Sequence, residues 1–256
     1  LITIVFNGVE STLVNRKFDM EMILPVIVAS QIGETYELET IKAQTIIARS
    51  NFCRKIQEQD SFSKVLNEIR NEVKGKSLYL AVSQEKYEKA VTDTEGMVMT
   101  WDGELKQVPY HELSAGQTRD GREVFHSEEE DYLKSVQSSV DKESKNYLNS
   151  VYINQKILPK ELNVKERDSA GYVTELLADG KTLEGESFRK GMGLTSANFT
   201  IQNIGNQVRF LCKGRGHGMG FSQYGGNELA KNSNSAEEIL AYYFPSMEIQ
   251  EITEIF

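Results

Sequence analysis

The period of apolar and polar positions changes along this chain, and the changes predict its elements. Leu1 to Phe6 alternates, Asn7-Gly8 supplies a turn and Val9 to Val14 returns, so a hairpin opens the sequence. Met20 to Ile32 is largely apolar and reads as a helix. Pro25 fits it only in a first helical turn. Gly33 is expected to end that helix in the left-handed conformation, which leaves Gln31 projecting from the helix C-terminus. A second helix starts near Glu37, where Leu38, Ile41, Ala48, Phe52 and Ile56 recur at spacings of three, four and seven and make one buried stripe. Lys42 and Arg49 share another face, which can be aimed back at Gln31.

Phe62 to Val73 carries apolar residues at helical spacing, and Lys86 to Val91 suits another short helix. Met97 to Trp101, Asp102-Gly103 and Glu104 to Val108 form a second hairpin pattern. Tyr172 to Ala178, Asp179-Gly180 and Lys181 to Leu183 form a third. Val208 to Cys212 reads as a strand feeding a glycine-rich loop. Ser235 and Glu238 then make a capping box for a helix through Ile239, Leu240 and Tyr243, stopped by Pro245. The acidic run Glu128 to Asp131 reads as a solvated helix start, and residues 144–163 as a loop or connector. Hairpins interspersed with helices, without a βαβ rhythm, predict an α+β fold. Nothing in the composition forces a boundary, so one domain over residues 1–256 is expected.

Charge and composition narrow the chemistry. A net charge of −9 over 256 residues argues against a nucleic-acid surface. No apolar run reaches the ~20 residues of a membrane span, and no charged-then-apolar pattern of a signal peptide is read in these residues. The chain starts at Leu1, which suits a trimmed or processed form whose N-terminal anchor could have been removed. Cys53 and Cys212 could bridge in an oxidising compartment or stay as two buried thiols. His111, His126 and His217 lack ligand-like spacing, so no metal and no cofactor is expected.

Two segments carry candidate chemistry. From Gly214 to Gly226 glycine recurs at alternate positions around His217, Ser222 and Gln223, which allows close approach of a backbone to a ligand. The spacing matches neither a dinucleotide fingerprint nor a phosphate loop. A triad built on Ser222 and His217 needs an orienting acid, and the sequence names none. Tyr110-His111-Glu112-Leu113-Ser114-Ala115-Gly116-Gln117-Thr118 is either a turn held by hydroxyls or a wall of hydrogen-bond donors for a neutral polar ligand such as a sugar.

Taken together, these residues resemble a family. Ala29-Ser30-Gln31-Ile32 precedes Glu39-Thr-Ile-Lys-Ala-Gln-Thr-Ile-Ile-Ala-Arg49; Thr94-Glu-Gly96 and the Tyr110 segment follow; then come Asp168 to Leu194, Gly216-His-Gly-Met-Gly-Phe-Ser-Gln-Tyr-Gly225 and Ile239 to Tyr243. This order, over about residues 20–250, resembles the SpoIID (sporulation stage II protein D) family, also called the amidase-enhancer LytB family.

The resemblance implies an extracytoplasmic, membrane-anchored lytic transglycosylase that acts on denuded peptidoglycan glycan strands beside an amidase of the engulfment machinery. In that chemistry one Glu protonates the glycosidic oxygen and then takes the proton of the sugar's own C6 hydroxyl, closing an anhydro ring. The family's acid lies in an Ala-Ser-Glu run, and Gln31 stands at that position here. An amide is neither acid nor base near neutral pH. Three accounts stay open: an engineered Glu→Gln trap, a native glycan-binding protein that positions or stimulates an amidase, or substitution by Glu34. The resemblance further implies substrate contacts from Lys42, Gln44, Arg49, Tyr110, His111, Ser114, His217, Ser222 and Gln223. Gln31 and the late glycine run are expected to line one sugar-sized furrow. The family's zinc-binding variants place Cys near the Tyr-His segment, and none lies there in this chain.

Overall fold

A computed structural model describes residues 3–5, 17–58, 64–65, 67–68, 71 and 84–252. The chain is α+β and divides into two compact units, residues 1–108 with 230–241 and 247–256, and residues 109–229 with 242–246.

In the first unit, strand β1 (Thr3–Val5) pairs antiparallel with β2 (Lys17–Asp19). The expected turn at Asn7-Gly8 and the return strand Val9–Val14 lie outside the described residues. After a short 3₁₀ turn, α1 (Leu24–Gln31) carries Pro25 in its first turn, where the absent N–H costs nothing. Gly33 does not act as the expected left-handed cap. The helix closes at extended Ile32 (φ −140°, ψ 143°), whose N–H bonds to the Val28 carbonyl. That conformation puts the Ile32 side chain into the core, 3% exposed, and burial of an apolar side chain outweighs the usual glycine stop.

Helix α2 (Leu38–Glu58) buries Ile41, Ala48 and Phe52 as its periodicity predicts, with Leu38 and Ile56 packed at the margin. α3 (Gln84–Asp93) adds Tyr87, Ala90 and Val91 to the same core. Of the helix expected over residues 62–73, residues 64, 65, 67, 68 and 71 are helical; the others lie outside the described residues. β3 (Met97–Trp101) turns through Asp102 (φ 52°) and Gly103 (φ 78°) into β4 (Glu104–Leu105), the paired left-handed residues that a two-residue hairpin demands. The strand Glu248–Glu251 covers the other side of β3. The helix Ala236–Tyr243 is capped as predicted, with Ser235 and Glu238 exchanging hydrogen bonds.

The second unit is mainly antiparallel strands. β5 (Tyr110–His111) and the short helix α4 (Gly121–Phe125) come first. β6 (Leu148–Asn154) then pairs along its whole length with the later strand Gln207–Lys213, which corrects the connector expected over residues 144–163. Asn149, Ser150 and Asn154 hide this strand from a hydrophobicity scan, because it lies at a sheet edge with only Val151 and Ile153 packed partly on the core. β7 (Leu162–Arg167), β8 (Val173–Ala178) and β9 (Lys181–Glu184) form the predicted third hairpin with one strand added before it; Asp179 (φ 46°) and Gly180 (φ 78°) make its turn. α5 (Gly185–Gly191) brings Phe188 against Phe199 of β10 (Phe199–Ile204) and Phe210 of β11 (Gln207–Lys213), with ring centroids 5.6–5.8 Å apart. β12 (Phe221–Ser222) pairs in parallel with β5 and leads into α6 (Gln223–Lys231).

Candidate functional site

In the first unit the chemistry gathers where α1 ends. Gln44 Nε2 donates to Gln31 Oε1 at 2.8 Å, so the Gln31 amide is oriented by a fully buried neighbour on α2. Lys42 lies on α2 as expected, yet it is bound to Glu39 at 2.8 Å and Asp93 at 2.9 Å. Arg49 is 0% exposed. Its Nε and Nη2 grip the Glu21 carboxylate in two 2.8 Å bonds; Nη2 also donates to the Val91 carbonyl, and Nη1 donates to Thr94 Oγ1 and the Met97 carbonyl. A bidentate fork inside a core is the geometry that arginine suits. The structure thus places Arg49 as a rivet between α1's approach, α2 and β3. Glu34 sits in the turn after α1, where its carbonyl accepts from Lys86.

In the second unit, the two motif segments are joined to each other. Leu113 and Arg215 exchange backbone hydrogen bonds of 3.0 and 2.7 Å. Gly214, Gly216, Gly218 and Gly220 all have positive φ. At Gly216 an added Cβ would come within 2.7 Å of His111 Cβ, and at Gly218 it would overlap the Tyr172 ring, so only glycine lets this backbone pass so closely.

Met219 fixes two imidazoles. Its carbonyl lies 2.9 Å from His111 Nδ1 and can only accept, which puts the His111 proton on Nδ1. Its N–H donates to His217 Nδ1 at 3.1 Å, so that nitrogen is bare. The rings stand 5.7 Å apart. His111 Nε2 is buried with no hydrogen-bond partner among the described residues. Burial, reinforced by His217, pushes the His111 pKa down to about 3, and burial also lowers that of His217. Both imidazoles are neutral hydrogen-bonding groups near pH 7.

Asp141, which no sequence pattern singled out, organises the hydroxyls. Its Oδ2 accepts from the Ser114 N–H (2.9 Å) and from Ser222 Oγ (2.8 Å), all three residues being 0% exposed. Ser222 is therefore a structural hydroxyl tied to Asp141. Gln223 starts α6, 5% exposed, and Tyr110 is half-buried on β5. A second unforeseen pair, Arg119 and Asp168, meets at 2.5 Å with both partners buried, and the guanidinium also covers the Tyr172 ring. Arg119 donates to the His217 carbonyl as well. These partners lie tens of residues apart and carry no local signature.

Cavities open on this unit, and two of them lie beside the motif segments. One of about 730 Å³ is lined by His217, Met219 and Arg119 together with both acidic and basic residues. The other, of about 480 Å³, lies beside Ala115-Gly116-Gln117. Among the described residues no group of three or more His, Cys, Asp or Glu is placed to hold a metal ion. Cys53 and Cys212 are both free and buried, and burial pushes the Cys53 thiol up to about 12.

Residues 9–101 match the family model described as SpoIID, Stage II sporulation protein. Stage II sporulation protein D of Bacillus subtilis (strain 168) is 26% identical over 249 residues, covering 88% of this chain and 72% of that protein. That of Bacillus amyloliquefaciens is 27% identical over the same shares. An uncharacterized protein of Brachyspira hyodysenteriae is 22% identical over 96% of this chain. The chain is thus similar to proteins of the SpoIID family, in its residues 9–101 by the family model and over most of its length by these relatives. No described helix is long and apolar enough to cross a membrane.

Proposed function

We propose that this protein engages the glycan strands of peptidoglycan outside the cytoplasmic membrane, with Gln31 standing at the acid–base position of a lytic transglycosylase. The observation that carries this reading is the helix-end placement of Gln31, its amide oxygen held by Gln44. A carboxyl group there would protonate the glycosidic oxygen between N-acetylmuramic acid and N-acetylglucosamine. It would then accept the C6 hydroxyl proton as the anhydro ring closes. One carboxyl suffices because the nucleophile is part of the substrate, whereas hydrolases use a pair. Gln31 can do neither step, so the chain as it stands holds the strand without cutting it.

The test is digestion of peptide-stripped glycan strands with the chain and with Gln31→Glu, reading anhydro-sugar ends by mass spectrometry. Restored acid–base assistance is expected to raise cleavage by ~10²–10⁴-fold. Absence of product from both proteins overturns the assignment of Gln31.

A second reading follows from the same amide: a non-catalytic module that positions or stimulates an amidase. It predicts enhancement of amidase activity by the chain itself, with no further gain from Gln31→Glu.

A further inference from the structure

The cavity of about 480 Å³ in the second unit has an unusual lining for this chain. Asp and Glu outnumber Lys and Arg by 38 to 29 over the whole sequence. Yet Lys142, Arg167 and Lys213 all line this cavity, and among the described residues no carboxylate does. The remaining polar lining is neutral, including Gln117, Asn198 and Thr200. The 730 Å³ cavity differs, since its basic residues share the walls with Glu123, Glu166, Asp168, Glu175, Glu184 and Glu186.

The cations are placed, and two are uncompensated. Arg167 is held by its bonds to the carbonyls of Gly171 (2.8 Å) and Phe199 (2.7 Å). The Lys142 stem lies across Gly116, whose φ of +101° and missing Cβ leave the space it occupies; an added Cβ would overlap Lys142 Cε. Among the described residues neither Lys142 nor Lys213 makes an ion pair. Three cations lining one concavity, two of them without an ion pair among the described residues, raise the local concentration of anions. Neutral amides and hydroxyls around them suit a polar body rather than an apolar one.

We propose that this cavity binds a carboxylate carried on a neutral, hydroxyl- and amide-bearing body, the chemistry of a sugar acid such as N-acetylmuramic acid. The proposal rests on the glycan reading above and extends it to a source of selectivity. When the peptide stems are removed, each muramic residue exposes a free lactyl carboxylate; when they are present, the same carbonyl is an uncharged amide. A cationic, acid-free cavity distinguishes the two.

The experiment titrates the isotopically labelled chain with N-acetylmuramic acid, N-acetylglucosamine and inorganic phosphate, following the backbone amides of Gly116 and Gly171 by NMR. Saturable shifts with N-acetylmuramic acid, absent with N-acetylglucosamine at equal concentration, support the site. Lys142→Gln and Lys213→Gln should each weaken that binding by roughly tenfold, the size of one charge-assisted hydrogen bond, and reduce its dependence on salt, while the rest of the spectrum keeps its dispersion. Equal response to both sugars, or phosphate binding as tight as that of the sugar acid, overturns the proposal. Cleavage of stripped strands by Gln31→Glu, with no response to N-acetylmuramic acid, removes this inference and leaves the glycan reading standing. The opposite pair of results removes that reading and keeps the anion site.

Discussion

Gln44 Nε2 and Gln31 Oε1 meet at 2.8 Å, joining the last residue of α1 to a buried position on α2. A glutamate at position 31 would keep an oxygen at this donor, and a hydrogen bond to a carboxylate favours its ionised form. In the Gln31→Glu background, Gln44→Leu is therefore expected to raise the carboxyl pKa. Since the acid must start protonated, the alkaline limb of kcat/KM should move to higher pH. A pH–rate profile on stripped glycan checks this; an unmoved limb removes Gln44 from any tuning role.

The Arg49–Glu21 pair should matter to stability. Removing one partner of a buried, bidentate pair leaves the other uncompensated and typically costs about 3–5 kcal/mol. Arg49→Ala is expected to lower the unfolding free energy, read from urea denaturation, by that order, while Arg49→Met with Glu21→Leu should lose much less. If the single and double variants unfold alike, the pair is not what holds α2 in place.

His111 predicts a pH dependence. Its pKa is depressed in the folded protein from 6.5 to about 3, by burial first and by His217 second. Between those values the unfolded chain binds the extra proton, so the His111 contribution to stability is complete above about pH 6.5 and is lost as pH falls towards about 3. Chemical denaturation at stepped pH should show this slope, and His111→Gln should flatten it.

Much of the fold is legible in the sequence where a local rule operates. Asp102-Gly103 and Asp179-Gly180 both make the turns their residue types demand, and Ser235 with Glu238 caps its helix. At Gly33 and over residues 144–163 tertiary contacts decide instead. A buried Ile32 overrides a glycine stop, and an edge strand needs little apolar periodicity once β11 supplies its hydrogen bonds. The motif residues were visible, but their duties were not. Arg49, Ser114 and Ser222 look from sequence like groups for a ligand; in the fold the Arg49 guanidinium bonds Glu21, while the Ser222 hydroxyl and the Ser114 backbone N–H both donate to Asp141. Those acids lie 28, 27 and 81 positions away, beyond the reach of any spacing argument.

The alternation from Gly214 to Gly220 divides that loop into two kinds of position. At 214, 216, 218 and 220 neighbouring atoms already fill the place of a first side-chain carbon, so these sites can vary only by rebuilding Leu113, His111, Tyr172 or Pro109. The interleaved residues Arg215, His217 and Met219 carry no such restriction from the backbone. Any retuning of this segment toward another ligand, by selection or in the laboratory, has to be written in the odd-numbered positions alone.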